Sequence, residues 1–99
     1  MPIKDIAYLE SDKRKLKMHL ADGRKEEFYG TLNEVYQEQL QDFDFLFIHT
    51  SYLVNFDYIK AVKYKEVVLT TGGLSLPIGR TKRIEIREAY CNITDRRGI

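Results

Sequence analysis

Residues Phe45 to Lys60 read FLFIHTSYLVNFDYIK, and the changes of pattern inside this stretch decide the fold. Phe45 to His49 is apolar and aromatic but too short for a helix, so it reads as a buried strand. A polar trio, His49, Thr50 and Ser51, then interrupts it before Tyr52, Leu53 and Val54 resume the apolar run. The trio is therefore expected at the lip of a hydrophobic core. Asn55-Phe56-Asp57-Tyr58 follows as a turn or a single helical turn, with Asn55 as its cap. Small polar groups held on a rigid lip suit hydrogen bonding to a groove or a small ligand.

Towards the N-terminus, Ile6 to Leu9 forms a short strand-like piece. Glu10 to Arg14 holds no apolar residue and reads as a loop. Leu16, Met18 and Leu20 alternate with Lys15, Lys17 and His19, a strand with one wet face on which His19 should meet solvent. Asp22-Gly23 is a strong hairpin signal, so Arg24 to Tyr29 should return beside it. Glu26 and Glu27 could then face Lys15 and Lys17. Thr31-Leu32-Asn33-Glu34 is a capping box, and Leu32, Val35, Tyr36 and Leu40 recur at helical spacing.

Towards the C-terminus, Ile59 to Tyr64 and Glu66 to Thr71 are β-rich runs. Thr71-Gly72-Gly73 turns the chain into Leu74 to Ile78, and Gly79 breaks that strand. Arg80 to about Tyr90 has helical composition, although Ile84-Glu85-Ile86 alternates like a strand. Asp95 to Ile99 is expected to fray. Seven or more short strands and one or two brief helices describe a mostly-β domain on the border of all-β and α+β.

Ninety-nine residues form one domain. No apolar run approaches the ~18 residues of a membrane span, so no membrane partner is expected. Cys91 is alone, which rules out an internal disulfide framework and points to a reducing, cytoplasmic setting. Net charge is +1, but it is unevenly spread. Residues 1–59 carry seven Lys/Arg against eleven Asp/Glu, a balance of −4, and residues 60–99 carry nine against four, a balance of +5. Phosphate binding responds to local potential over ~8–10 Å, so a near-neutral chain can still bind nucleic acid.

Several blocks also carry a likeness. The pattern F-x-x-I-H-x-S-Y-L-V-N-x-x-Y-I from Phe45 to Ile59, followed by Leu76-Pro77-Ile78-Gly79-Arg80, resembles the LytTR DNA-binding domain, the output module of many bacterial response regulators. Ile6 to Ser11 and Phe28 to Leu32 fit in the same order, so the resemblance runs from about Ile3 to Arg87. It implies small antiparallel sheets stacked lengthwise, with loops along one edge. It also implies sequence-specific binding to double-stranded DNA at direct-repeat sites, as a dimer on DNA, in a two-component system where a receiver or sensor domain supplies dimerisation. Family domains usually have one more strand ahead of the first block. Met1-Pro2 stands almost where that strand should end, so the chain reads as an excised or trimmed domain.

Arg80 on its own is either a solvated loop arginine or a planar donor fork for guanine or phosphate. The resemblance makes it a base-contacting residue, with Thr81, Lys82 and Arg83 on phosphates. It likewise places a base-probing side chain on the loop before the second strand, where Arg14 is the best match and Lys13 and Lys15 flank it on phosphates. The family usually has Arg after the motif's His. Thr50 stands there instead, which shortens the reach and removes the bidentate option. Thr50 is expected to touch a thymine methyl or a phosphate, Ser51 to bond a phosphate, and His49 to make a structural hydrogen bond beside a phosphate contact.

Catalytic and cofactor readings find little support. There is no glycine-rich phosphate loop, nucleophile elbow or paired-histidine motif, and His19, His49 and Cys91 lack zinc-site spacing. No enzyme activity and no cofactor are expected. The alternative to DNA binding is a small β protein-interaction module using an aromatic surface drawn from the seven Tyr.

Overall fold

A computed structural model describes residues 3–98. Met1 and Pro2, on which the missing-strand reading falls, and Ile99 lie outside the described residues. Strands β1 (Ile6–Asp12), β2 (Lys15–Leu20), β3 (Lys25–Tyr29), β4 (Phe45–His49) and β5 (Tyr52–Asn55) build a five-stranded antiparallel sheet in the order β3-β2-β1-β5-β4. Strands β6 (Ile59–Val62), β7 (Glu66–Leu69) and β8 (Ser75–Pro77) form a second antiparallel sheet in the order β6-β7-β8. The mostly-β architecture with two small sheets and two helices is the one the sequence implied.

Alternation along β4 and β5, with a register irregularity in β1, divides the interior in two. Leu9, Leu53 and Phe45 turn to one face of the large sheet, where helix α1 (Leu32–Val35) and the wider turn Tyr36–Leu40 cover them. Ala7, Ile48 and Val54 turn to the other face, against the second sheet and helix α2 (Arg83–Arg97) through Ile86 and Ile93. Leu9, Leu53 and Ile48 are completely enclosed. Truncating any of them to Ala would cost about 2–5 kcal/mol.

Local signals account for most element ends. The Glu34 amide donates to Thr31 Oγ1 at 3.2 Å, starting α1. One α-turn followed by a wider i→i+5 turn brings Leu40 into line with Leu32, so both reach the same core. The amide of Asp57 donates to Asn55 Oδ1 at 3.0 Å, and the Asn55 side-chain nitrogen donates to the Ile6 carbonyl at 2.9 Å. This buried Asn both starts a helical turn and ties β5 to β1.

Four expectations need correction. Glu10 to Asp12 is strand, not loop: β1 continues to pair with β2 as far as Asp12 opposite Lys15, leaving only Lys13-Arg14 to turn. Backbone pairing does not need apolar side chains at an exposed hairpin end. His19 does not face solvent alone, because an irregularity between Ile6 and Tyr8 sets it opposite Tyr8. Its ring stacks on Tyr8 at 4.1 Å and its Nε2 lies 3.1 Å from Glu10. Glu27 faces Lys17 as expected, but Glu26 faces Met18, and Lys15 instead faces Tyr29. The last correction is the tail, where helix α2 runs on to Arg97 instead of fraying from Asp95.

The helix persists because its C-terminal end is held. Gly98 takes the left-handed conformation (φ 72°) that closes a helix, and its amide donates to the Asp95 carbonyl. Arg97 bonds Asp44 at 2.7 Å, ion-pairs with Asp57, and lies over the Phe56 ring at 4.7 Å. Arg96 pairs with Asp44 as well. Their hydrogen bonds and charges outweigh partial burial and hold the Asp44 carboxyl below the usual range.

Candidate nucleic-acid interface

Antiparallel register sorts the turns of the large sheet by end. Asp12 closes β1 opposite Lys15, and Glu10 lies opposite Tyr52. The Lys13-Arg14 turn and the Thr50-Ser51 turn therefore project from the same end, joined by the Ser11 amide donating to the Ser51 carbonyl at 2.8 Å. The connection from β3 to α1 arrives there too, since the Gly30 amide donates to the Arg14 carbonyl at 3.2 Å.

Arg80 comes from the second sheet. After β8, the Gly79 amide donates to the Ile48 carbonyl at 2.7 Å, and the Lys82 amide donates to the Gly79 carbonyl at 2.8 Å. These bonds fold Arg80–Lys82 into a tight helical turn beside the end of β4. Gly79 itself has an ordinary φ of −57°. The bend is held by hydrogen bonds and does not need glycine's special freedom. Thus the three corners carrying Arg14, Thr50 and Arg80 share one end of the molecule.

The side chains at this end differ in how far they are already committed. Lys13 is the only non-glycine residue among those described with a positive φ, 62°, a conformation that costs an L-residue about 1–2 kcal/mol. Arg14 and Arg80 are exposed, and neither joins an ion pair among the described residues. Lys15 leans over the Tyr29 ring at 5.9 Å. Thr50 and Thr81 are exposed.

His49 Nδ1 accepts the Ser51 amide at 3.0 Å, with Thr50 Oγ1 at 3.4 Å. A backbone amide can only donate, so Nδ1 is bare and the ring proton sits on Nε2. The imidazole therefore works as the clamp that shapes the Thr50-Ser51 turn, backed edge-on by Tyr52 at 5.7 Å. Burial, with Glu10 close by, pushes the Tyr52 hydroxyl above the usual phenol range, so it keeps its proton. The Ser51 backbone is bonded on both sides, while its hydroxyl has no partner among the described residues.

Lys82 and Arg83 diverge. Lys82 sits 3.7 Å from Glu85 and over the Phe47 ring at 6.0 Å, on the wall of an open cleft shared with Ser11, Thr31, His49 and Thr50. Arg83 turns towards the second sheet, where its guanidinium lies over Tyr64 at 4.7 Å and its Nε is enclosed without a partner among the described residues. Arg83 is therefore not gathered with the other candidates. The cleft adds Ser11 and Thr31 to the site, which sequence reasoning missed. The capping box located Thr31, but only the β1 register brings Ser11 there. Most tyrosines are unavailable for an aromatic surface: Tyr8 is buried and Tyr36, Tyr52, Tyr58 and Tyr90 pack against the two interiors. Among the described residues, no cluster of three or more His, Cys, Asp or Glu is placed to hold a metal ion, and no helix is long and apolar enough to cross a membrane.

Fold and site together define a small antiparallel β domain that presents turns, not a helix, along one edge. The chain belongs to the LytTr DNA-binding domain family, whose sequence profile matches residues 1–90. Membership supports DNA binding in regulation. Among solved structures, one described as the LytTr DNA-binding domain of a methyl-accepting/DNA response regulator from Bacillus cereus matches with a TM-score of 0.74 and 22% identity. The match covers 90% of this chain and 84% of that one. At this identity the likeness speaks for the fold. No curated protein matches.

Proposed function

We propose that this domain binds double-stranded DNA sequence-specifically in transcription regulation, as the cytoplasmic output domain of a two-component response regulator. Arg14, Thr50 and Arg80 probe base edges from successive major grooves. Lys13, Lys15, His49, Ser51, Thr81 and Lys82 hold the phosphate backbone. The observation that carries this reading is the gathering of three turns at one end, where Arg14 and Arg80 have no side-chain partner among the described residues. Arg83 is left out of the phosphate set because its side chain lies against Tyr64 in the β6–β7 turn, apart from the three gathered turns.

Arg80 supplies the strongest discrimination, since its fork matches the two acceptors of guanine. Thr50 reaches less far and gives weaker selection at its base pair. Contacts from three turns spread over more than one helical turn favour bent DNA, so flexible steps between contacted bases add about 1–6 kcal/mol of sequence-dependent energy. Two copies occupy direct-repeat sites as a dimer, with a receiver or sensor domain joining them.

Selection of bound sequences from a random duplex pool tests the proposal. Enrichment of a repeated motif, with affinity that collapses between low and moderate salt, is the expected result. A pool that stays random, or binding indifferent to salt, would refute it.

A further inference from the structure

Helix α1 with the turn after it and helix α2 cover opposite faces of the large sheet, and the first carries acids where a groove beside the start of the second gathers cations. From Thr31 to Phe43 the chain has no Lys or Arg, while Glu34, Glu38 and Asp42 are exposed at four-residue spacing. Phe43 closes this stretch 48% exposed. On the other side, the β6–β7 turn and the start of α2 enclose a groove lined by Lys63, Tyr64, Arg83, Ile84, Arg87 and Glu88. Tyr64 is 63% and Ile84 75% exposed. None of Lys63, Arg83 or Arg87 joins an ion pair among the described residues.

We infer that this groove docks the acidic Thr31–Phe43 segment of a second copy of the same chain, in a head-to-tail contact. A phosphate backbone would satisfy the cations but leave Tyr64 and Ile84 in water. A protein surface carrying acids beside an apolar side chain satisfies both, and the segment carrying Glu34, Glu38, Asp42 and Phe43 offers that combination. Patches on opposite faces cannot meet through a two-fold axis that pairs a patch with itself. They meet by translation, which is heterologous association and is the geometry that direct repeats impose. The biological setting therefore rests on the DNA reading above. The contact itself does not.

Charge reversal tests it without DNA. Self-association of the wild-type chain at low salt, followed by sedimentation equilibrium, should weaken roughly tenfold or more in Lys63→Glu/Arg87→Glu and equally in Glu38→Lys/Asp42→Lys. An equimolar mixture of the two variants should regain the wild-type association, because each reversed face then meets its complement. Restoration in the mixture also shows that both variants are folded. The inference is overturned if the wild type does not associate, if either variant alone associates like wild type, or if the mixture fails to recover. It is also overturned if Lys63→Glu/Arg87→Glu leaves association intact and instead weakens binding to a random duplex, which would assign the groove to the DNA backbone. All of these outcomes leave the fate of the DNA reading to the selection experiment.

Discussion

The two ends of the large sheet treat arginine in opposite ways. Where α2 finishes, Arg96 and Arg97 spend their donors on Asp44 and Asp57, and the Arg97 guanidinium lies against Phe56. Where α2 begins, Arg80 stands exposed without an acidic partner among the described residues, as does Arg14 across from it. The residue type is the same and the helix is shared, yet one end is saturated from within and the other left open. An arginine whose donors are used inside the chain holds the fold. One whose donors are free is available to something outside it.

The comparison breaks if the two ends can exchange roles. The largest expected effect is on binding: Arg80→Ala should lose about 1–3 kcal/mol on the selected duplex and relax preference at one base pair, with no shift of the urea unfolding midpoint. Equal losses on selected and scrambled duplexes would show that Arg80 reads no base. At the opposite end, Asp44→Ala should lower unfolding stability by roughly 1 kcal/mol, a modest figure because the paired arginines are partly solvated. Its affinity for the same duplex should not change. A mutant that fails in the other assay would dissolve the distinction.

Acid sharpens the same contrast. The Asp44 carboxyl is held low in the folded chain, so its contribution is complete above the ordinary carboxylate range and disappears as pH falls through its depressed value. Asp44→Asn should therefore flatten the acid side of a stability-against-pH curve measured by urea unfolding. A wild-type curve with the same acid slope as the mutant would deny the clamp any role. The smallest effect belongs to the open end: Lys13→Gly should relieve the left-handed backbone and stabilise by a few tenths to about 1 kcal/mol. It should also flatten the salt dependence of DNA binding by about one unit.

What could be read from the chain follows the range of the interactions involved. The capping box at Thr31, the cap at Asn55 and the Asp22-Gly23 turn were legible, because each is made by residues within four positions of one another. Gly98 after Arg96-Arg97 is a stop signal of the same local kind, but nothing local shows that α2 reaches so far. That helix end depends on Asp44 and Asp57, which lie far back in the chain. Similarly, the position of His19 depends on an irregularity in β1, not on its own alternation. Arg83 looked like one more cation in a basic run. Only its stacking on Tyr64 separates it from Lys82. The candidate turns themselves were found through family likeness, and their common end follows from pairings between strands that no periodicity encodes.

The register of β1 against β5, with Leu9 opposite Leu53, has a kinetic consequence. The hairpin carrying Arg14 can zip up from neighbouring residues, but its alignment with the Thr50 corner waits for a contact closing nearly half the chain. Such closure is entropically expensive and slows assembly. A nascent chain still lacking β5 on the ribosome would thus own one corner of the surface and no surface, and competence would emerge in a single late step.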